Sequence, residues 1–262
     1  MTKFLNPPKR FKFSDDIMFS LIMQNEDICR DVLTVILGEK IGKIKHLVTQ
    51  NTIANKADRK YIRVDVSVET ENGKLYDIEM QTTSHKSLPQ RMRLYQAMMD
   101  VNTVQLRQSY KSIPDNFVIF ICNFDFFERD APLYICRNLC ENVERLPLND
   151  GTYKIVVNAT AFADAKSEKL ASFLCYVNTN EPSDELTRRI DTMVNSNAYQ
   201  MSALEGFMTQ FSTFEMDARD EARAEGAYQK ACETARRLLV KGLSVTEIAD
   251  ITDLSEEEIL AL

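Results

Sequence analysis

The sequence has no tryptophan and only two histidines, His46 and His85, among its 262 residues. No Ser-His-Asp or Cys-His catalytic arrangement can therefore be placed on it. Six cysteines are scattered along the chain, and the pair Cys136 and Cys140 has no second pair of zinc ligands nearby. This usage argues against a zinc site and favours reduced thiols, as in a cytoplasmic protein.

Long apolar segments are also missing. No stretch reaches the roughly eighteen apolar residues that suggest a membrane helix, and the first eight residues lack the apolar centre of a signal peptide. We therefore expect no membrane association and a cytoplasmic location. The composition, 44% hydrophobic and 27% charged, is typical of a globular protein with one good core and an appendage.

An excess of positive charge is also missing. The net charge is −7, which does not favour nucleic-acid binding. The distribution of charge changes this interpretation. Residues 215–262 contain twelve acidic and six basic side chains, whereas residues 54–111 contain ten basic and seven acidic ones. The region from 54 to 111 is therefore locally basic and compatible with phosphate binding.

Alternating polar and apolar residues in segment 62–81 predict a β-hairpin. A two-residue Asn-Gly turn would set Val66 opposite Glu79 and would mix polar and apolar side chains on both faces. A three-residue loop with a left-handed glycine at its end sets Val66 opposite Ile78 and Asp65 opposite Glu79. Because a one-residue slip reverses every side chain, the hydrophobic pattern favours the three-residue loop.

The predicted register places two carboxylates, those of Asp65 and Glu79, directly opposite each other, roughly 5 Å apart at Cβ. Because like charges repel, something must offset the repulsion. Mg²⁺ is one candidate, since one or two carboxylates plus substrate phosphate oxygens commonly hold it. The alternatives are a raised pKa, or a solvated polar face on which Arg63 neutralises the pair.

Five segments stand in a characteristic order: Phe13-Ser-Asp-Asp-Ile-Met-Phe19, Lys60-Tyr-Ile-Arg-Val-Asp65, Tyr76-Asp-Ile-Glu-Met-Gln81, Gln90-Arg-Met-Arg-Leu-Tyr95 and Phe117-Val-Ile-Phe-Ile-Cys-Asn-Phe124. Together they resemble the PD-(D/E)xK nuclease superfamily, and most closely the Rpn-type recombination-promoting nucleases, which are PD-(D/E)xK transposases. The proline before the metal-binding aspartate is often absent from the superfamily, and here that position is Val64. The usual lysine of the pattern is replaced by Gln81.

The resemblance implies a metal-dependent DNA endonuclease in which Asp65 and Glu79 bind Mg²⁺ or another divalent cation such as Mn²⁺. It implies that Asp16 is an accessory carboxylate at the metal. Gln81 would be the third catalytic residue, standing where a lysine usually positions the attacking water. Glutamine donates and accepts hydrogen bonds but stabilises developing negative charge less well than lysine.

Three further side chains are candidates for accessory roles. Arg91 and Tyr95 are four residues apart on one face of the following predicted helix, where they could contact phosphate near the site. They could equally be a surface arginine and a half-buried tyrosine. Arg63 is a phosphate or accessory candidate on the polar face of the hairpin. Asp77 shares that face with Glu79, and we interpret it as a solvated strand position.

The order of predicted elements indicates an α/β protein with a restriction-endonuclease-like mixed β-sheet flanked by helices and an α-helical C-terminal extension. We expect a nuclease-like core at 1–180, in which the strands at 130–158 are an addition, a helical extension at 181–240 and a small helical tail at 241–262. Residues 198–240 read as one long charged helix. The tail carries two capping boxes, and its acidic second helix argues against DNA reading.

Two functions of different classes follow. The first is a Mg²⁺-dependent DNA endonuclease associated with recombination or transposition. The second is a nuclease-like fold, weakly active or inactive, that binds DNA or assembles with partners and is regulated by its acidic helical tail. In either case the C-terminal helices could pack on the domain or mediate homo-oligomerisation.

Overall fold

A computed structural model of the chain describes residues 7–53, 62–84, 86–104, 109–241, 243–252 and 254–262. Within these ranges it describes all side chains except those of 50–53, 62–63, 211–225 and 227. The chain divides into two compact units, residues 1–204 and 205–262, each of which is described separately below.

The first unit is built on a mixed six-stranded sheet with the strand order β1-β2-β3-β4-β6-β5. Strands β1, β2 and β3 are antiparallel neighbours, β3, β4 and β6 run parallel, and β5 is antiparallel to β6 at the edge. The strands are β1 (Ile44–Ile53), β2 (Ile62–Thr70), β3 (Leu75–Gln81), β4 (Asn116–Cys122), β5 (Leu133–Cys136) and β6 (Thr152–Asn158).

Helices flank this sheet, which confirms the predicted fold class. Helices α1 and α2 pack against strands of the β1–β3 half, and α3 packs against β4. Phe13 joins the helical layer together through edge and tilted ring contacts to Phe19, Phe173 and Tyr176. The helices of this unit are α1 (Asp16–Met23), α2 (Glu26–Leu37), α3 (Leu88–Thr103), α4 (Glu168–Thr179) and α5 (Glu185–Val194), followed by the start of α6 (Asn197–Val240).

Local signals in the sequence explain where several helices begin and end. Asn25 caps α2 by accepting hydrogen bonds from two backbone N–H groups of its first turn, and Gly38 ends the helix in a left-handed conformation. The apolar spacing predicts a helix over 87–108; in the structure α3 begins with Pro89 near its N-terminus and ends at Thr103. Residues 105–108 lie outside the described residues.

The hairpin between β2 and β3 has the predicted register. Val66 pairs with Ile78 and Val68 with Tyr76. Gly73 has φ of +81°, and the N–H of Thr70 donates to the carbonyl of Lys74 across the three-residue loop. The apolar pattern therefore did select the loop, because only this register keeps Val66 and Val68 on a buried face.

Both strands between 130 and 158 extend the sheet beyond β4, and their interpretation as an addition to the nuclease-like core stays a prediction. Strand β6 pairs in parallel with β4 over seven residues, from Asn116–Thr152 to Cys122–Asn158, and its residues from Ile155 onward are buried. Only the short β5 lies at the edge. Strand order depends on long-range pairing, which a local pattern does not specify.

The second unit contains most of α6, together with α7 (Val245–Thr252) and α8 (Glu256–Leu260). These helices form a small apolar core whose buried members are Ala235, Ile248, Leu254 and Ile259. Both predicted capping boxes are present, because Ser244 and Ser255 exchange hydrogen bonds with glutamates three residues later. None of the helices in the described part of the chain combines the length and hydropathy required of a bilayer-spanning segment.

We predict that Gly73→Ala destabilises the protein by about 1 kcal/mol, because an alanine side chain disfavours the left-handed conformation. No atom lies within 4 Å of a Cβ added at this position, so the cost is conformational and not steric. Gly42→Ala is the matched control, since its backbone is not left-handed and its nearest neighbour is an Asn72 side-chain atom at 4.0 Å. Equal free energies of unfolding for the two variants in urea would contradict the prediction.

Candidate active site

The predicted catalytic face lies at the end of the hairpin away from its turn, beneath α3. The parallel register pairs Asp77 with Val118, Glu79 with Phe120 and Gln81 with Cys122, so these polar side chains share a sheet face with the apolar side chains of β4. Helix α3 covers that face through an apolar cluster formed by Leu88, Met92, Tyr95, Met99, Val118, Phe120, Cys122 and others. Asp77 and Glu79 are therefore buried beneath a helix and do not lie on an open polar surface, while Asp65 is partly exposed.

Asp65 and Glu79 hold each other in place through the opposite backbone. The N–H of Asp65 donates to Oε1 of Glu79 at 2.8 Å, and the N–H of Met80 donates to Oδ2 of Asp65 at 3.0 Å. The backbone pairing of β2 with β3 extends from the turn as far as Val66 and Ile78. At the next residues, the strand N–H groups donate to side-chain carboxylates. The two carboxylates are therefore fixed in position by the strands themselves.

Arg91 reaches this pair from the first turns of α3. One of its guanidinium nitrogens donates to Oε2 of Glu79 at 3.2 Å and to the hydroxyl of Tyr95 at 3.1 Å, and the other donates to the Gln81 carbonyl at 2.6 Å. The guanidinium also lies over the rings of Tyr95 and Phe120, with its central carbon 5.5 Å and 5.0 Å from the ring centroids. Side chains of three elements, β3, β4 and α3, thus meet at one cation.

Gln81 is held at both ends of its side-chain amide. Its oxygen accepts from Arg91, and its nitrogen donates to the backbone carbonyl of Thr83 at 2.7 Å. This pattern assigns the orientation of the amide, with its oxygen facing the guanidinium of Arg91. In this arrangement Gln81 supplies an acceptor to the site in the position where the superfamily pattern has a cationic donor.

The interpretation of Asp77 as a solvated strand position is wrong. Asp77 is 1% exposed, and neither of its carboxylate oxygens has a hydrogen-bond partner among the described residues. Burial raises its pKa well above the ordinary value, the neighbouring charge of Asp65 raises it further, and Arg91 opposes both effects. Asp77 is therefore part of the carboxylate cluster, although sequence reasoning set it aside.

The other titratable groups of the site respond to the same surroundings. Burial raises the pKa of Glu79 well above its ordinary value, with further increases from Asp77 and Asp65, while the Asp65 N–H and Arg91 act in the opposite direction. Burial also raises the pKa of Tyr95 to about 12, with Glu79 adding to the effect. Tyr95 therefore keeps its proton near neutral pH and can act as a hydrogen-bond donor.

A buried polar network sets the position of α3 at its other end. The amide nitrogen of Gln96 donates to the side-chain oxygen of Asn116 at 2.7 Å, and the amide of Asn116 donates to Asp100 at 2.6 Å. Both bonds join α3 to the first residue of β4. They fix the helix along the sheet, and the position of the helix in turn sets where Arg91 reaches the carboxylates.

Asp16 has no described contact with this cluster, and the side chain of Arg63 is not among those described. Asp16 is exposed in the first turn of α1, and its carboxylate accepts the N–H of Ile17 at 2.8 Å. Its metal role stays a prediction. Arg63 belongs to β2, but its side chain lies outside the described side chains, so its proposed role also stays a prediction.

The donor set fits a hard divalent cation. Carboxylate and amide oxygens converge there, and the buried carboxylate of Asp77 has no partner among the described residues. Within those same residues, no group of three or more His, Cys, Asp and Glu side chains is arranged to hold a metal ion. The cation that fits is therefore one held by the Asp65 and Glu79 pair and completed by water and substrate oxygens, as Mg²⁺ commonly is.

One cleft of the first unit lies away from these carboxylates. It measures about 730 Å³ and is lined by residues of α2, α4 and α5 and the segments next to them. Its lining mixes cations such as Lys40 and Lys169 with anions such as Glu39 and Glu168. None of the predicted catalytic residues lines this cleft.

Comparison with known proteins supports the resemblance found in the sequence. The family model for the PD-(D/E)XK nuclease family transposase matches residues 12–234 of the chain. No curated protein and no solved structure matches significantly.

We predict that Asp77→Asn removes a pH-dependent loss of stability. Because folding raises the pKa of Asp77, the protein is stabilised at low pH and loses that contribution as the pH rises from 3.8, the ordinary value, through the raised value. The asparagine side chain does not titrate, so in EDTA the free energy of unfolding of this variant should rise relative to that of wild type as the pH increases from about 4 to about 8.

Asp125→Asn gives the opposite control. Burial acts to raise the pKa of Asp125, but hydrogen bonds from the Tyr134 hydroxyl and three backbone N–H groups lower it overall. The stability that Asp125 contributes is therefore present above its ordinary pKa and is lost as the pH falls. Urea denaturation of all three proteins from about pH 2 to about pH 8 should give differences of opposite sign, with the Asp125→Asn difference changing below about pH 4 and the Asp77→Asn difference changing above it. Parallel curves for Asp77→Asn and wild type would contradict the prediction.

Proposed function

The chain belongs to the PD-(D/E)XK nuclease family of transposases, and from that membership we propose that it is a divalent-cation-dependent DNA endonuclease. The observation that carries the proposal is the pair of carboxylates, Asp65 and Glu79, that bond to each other's strands beneath Arg91. Phosphodiester hydrolysis requires fixed negative oxygens to hold a divalent cation, and this pair would supply them. It also requires positive charge beside the phosphate, which Arg91 would supply.

Asp65 and Glu79 would hold Mg²⁺, or another divalent cation such as Mn²⁺. When bound, such an ion supplies Lewis-acid stabilisation of charge on the phosphate and lowers the pKa of a coordinated water. Because both carboxylates are fixed by backbone N–H groups, they need little rearrangement on binding. Asp16 remains a proposed accessory carboxylate on α1.

Arg91 and Tyr95 would face the substrate phosphate. The planar guanidinium matches phosphate oxygens geometrically, and the protonated Tyr95 hydroxyl can donate to one of them. Gln81 would orient the attacking water through its amide oxygen. Because glutamine carries no charge, Arg91 would supply the positive charge that a lysine at position 81 provides elsewhere in the superfamily.

The weakly active or inactive alternative has one observation in its favour. Both ends of the Gln81 amide are engaged, by Arg91 and Thr83, so the side chain is held as a link between α3 and the end of β3 and has only one remaining acceptor site and one remaining donor for water. On this second interpretation the protein binds DNA or assembles with partners, and the acidic C-terminal helices regulate it. Homo-oligomerisation through those helices remains part of this proposal.

We predict that Glu79→Gln and Asp65→Asn each reduce Mg²⁺-dependent nicking of supercoiled plasmid by at least about 100-fold, because each removes a charged cation ligand. Wild-type activity should disappear in EDTA. Glu69→Gln is the matched control. Glu69 lies on β2, as Asp65 does, but near the hairpin turn, where its Oε1 is 2.6 Å from Nζ of Lys45. Full nicking by Glu79→Gln would refute the assignment of the site.

A separate measurement tests the alternative. Asp250→Asn and Glu257→Gln remove two exposed charges from α7 and α8 and leave the capping boxes intact. If the acidic tail opposes DNA binding, the double variant should bind a DNA duplex several-fold more tightly at low salt, and the gain should shrink as salt is added. Equal affinities at every salt concentration would remove the charge of these two residues from the mechanism.

A further inference from the structure

The guanidinium of Arg91 occupies the position at which a cation would meet Glu79. Oε1 of Glu79 already accepts the N–H of Asp65, and Oε2 accepts from Arg91 at 3.2 Å. Glu79 is 3% exposed, so water does little to stabilise its charge. Oε2 is therefore the oxygen that a divalent cation would take, and Arg91 is bonded to it.

The charge balance explains why a cation stands there. In this cluster the charge of Asp65 raises the cost of ionising Asp77 and Glu79, and the charge of Asp77 raises the cost of ionising Glu79. Arg91 is the cation that favours the ionised forms of both Asp77 and Glu79. With three carboxylates and one guanidinium, the cluster keeps an excess of negative charge if all are ionised, which attracts a further cation.

Arg91 also has other partners that do not depend on Glu79. Its second nitrogen donates to Gln81, its first also bonds to the Tyr95 hydroxyl, and its flat face lies over two rings. The buried carboxylate of Asp77 has no hydrogen-bond partner among the described residues, although the charge of Arg91 acts on it. The guanidinium can therefore leave Glu79 and still remain within the site.

We propose that Arg91 is a resident counter-ion that a divalent cation displaces from Glu79. In the cation-free protein, Arg91 offsets the repulsion among the carboxylates and holds Glu79 in position. When a divalent cation binds Asp65 and Glu79, the guanidinium moves off Oε2, remains on Gln81 and Tyr95, and becomes available to a phosphate. The inference rests on the proposed function, because it assumes that the carboxylate pair binds a divalent cation.

Competition for one oxygen predicts an unusual effect of substitution. A residue that only supports the site should weaken cation binding when it is replaced, whereas a competitor should strengthen it. Arg91→Gln should therefore bind Mn²⁺ and Mg²⁺ about tenfold more tightly than wild type in isothermal titration calorimetry, which corresponds to a typical coupling between two sites. Arg91→Lys keeps the charge but loses the planar fork, and its affinity should lie between the two.

The matched control is Arg93→Gln, which removes the same charge from an exposed position on the same helix. It should leave the dissociation constant close to that of wild type, because an exposed charge is well screened. If Arg93→Gln increased the affinity for the cation as much as Arg91→Gln does, the effect would come from the change in net charge alone, and the proposal would be wrong.

Thermal unfolding gives a second readout that does not use catalysis. Without divalent cations, Arg91→Gln should melt below wild type, because the carboxylates lose their counter-ion. Added Mg²⁺ should narrow that difference, because the bound cation replaces the missing guanidinium and stabilises the variant more than wild type. A purely structural role for Arg91 predicts a difference that Mg²⁺ does not change.

The outcomes separate this inference from the proposed function. If wild type binds a divalent cation and Arg91→Gln binds it equally or more weakly, the displacement is wrong and the proposed function stands. If wild type, Arg91→Gln and Arg91→Lys all fail to bind a divalent cation, both proposals are wrong. If only the variants bind measurably, or bind more tightly than wild type, the displacement is supported.

Discussion

The centre of this protein depends on offsetting the repulsion among three neighbouring carboxylates, two of which are buried. Asp65, Asp77 and Glu79 lie on neighbouring strands, where Asp77 and Glu79 are almost fully excluded from solvent and Asp65 is partly exposed. Burial in a medium less polar than water increases both the attraction of opposite charges and the repulsion of like charges. The backbone N–H groups of β2 and β3 and the guanidinium of Arg91 are the groups that offset this cost.

Much of the surrounding architecture serves that compensation. The apolar cluster between α3 and β4 holds the helix against the sheet, and the network of Gln96, Asn116 and Asp100 fixes its position along the strands. Arg91 can meet Glu79 only if both conditions hold. Burying like charges close together costs free energy, and a purely structural core would avoid it. Such costs are common where a site serves binding or catalysis.

The site also lies where the topology of the sheet favours one. Gln81 and Cys122 are the last residues of the parallel strands β3 and β4, and the chain leaves β3 to form the helix that covers the face. Ligands of α/β sheets commonly bind at the carboxyl ends of parallel strands. The antiparallel partner β2 adds Asp65 from the other side, so the mixed character of the sheet brings the carboxylate pair together.

The sequence by itself determined the features that depend on near neighbours. Alternation of apolar residues selected the three-residue loop and hence the opposition of Asp65 and Glu79, because a slip of one residue would have exposed the buried valines. Capping residues such as Asn25 and Ser255 marked the ends of helices, because their side chains bond to N–H groups only a few residues away. The family resemblance rested on these same local segments.

Only the tertiary structure decided the features that depend on distant parts of the chain. The burial of Asp77 follows from which face α3 covers, and period-two alternation does not distinguish a solvated polar face from one under a helix. The place of β6 beside β4 follows from strand pairing across thirty residues or more (roughly the length of a βαβ unit). Likewise, Arg91 became the partner of Glu79 because α3 returns over the sheet and brings it there.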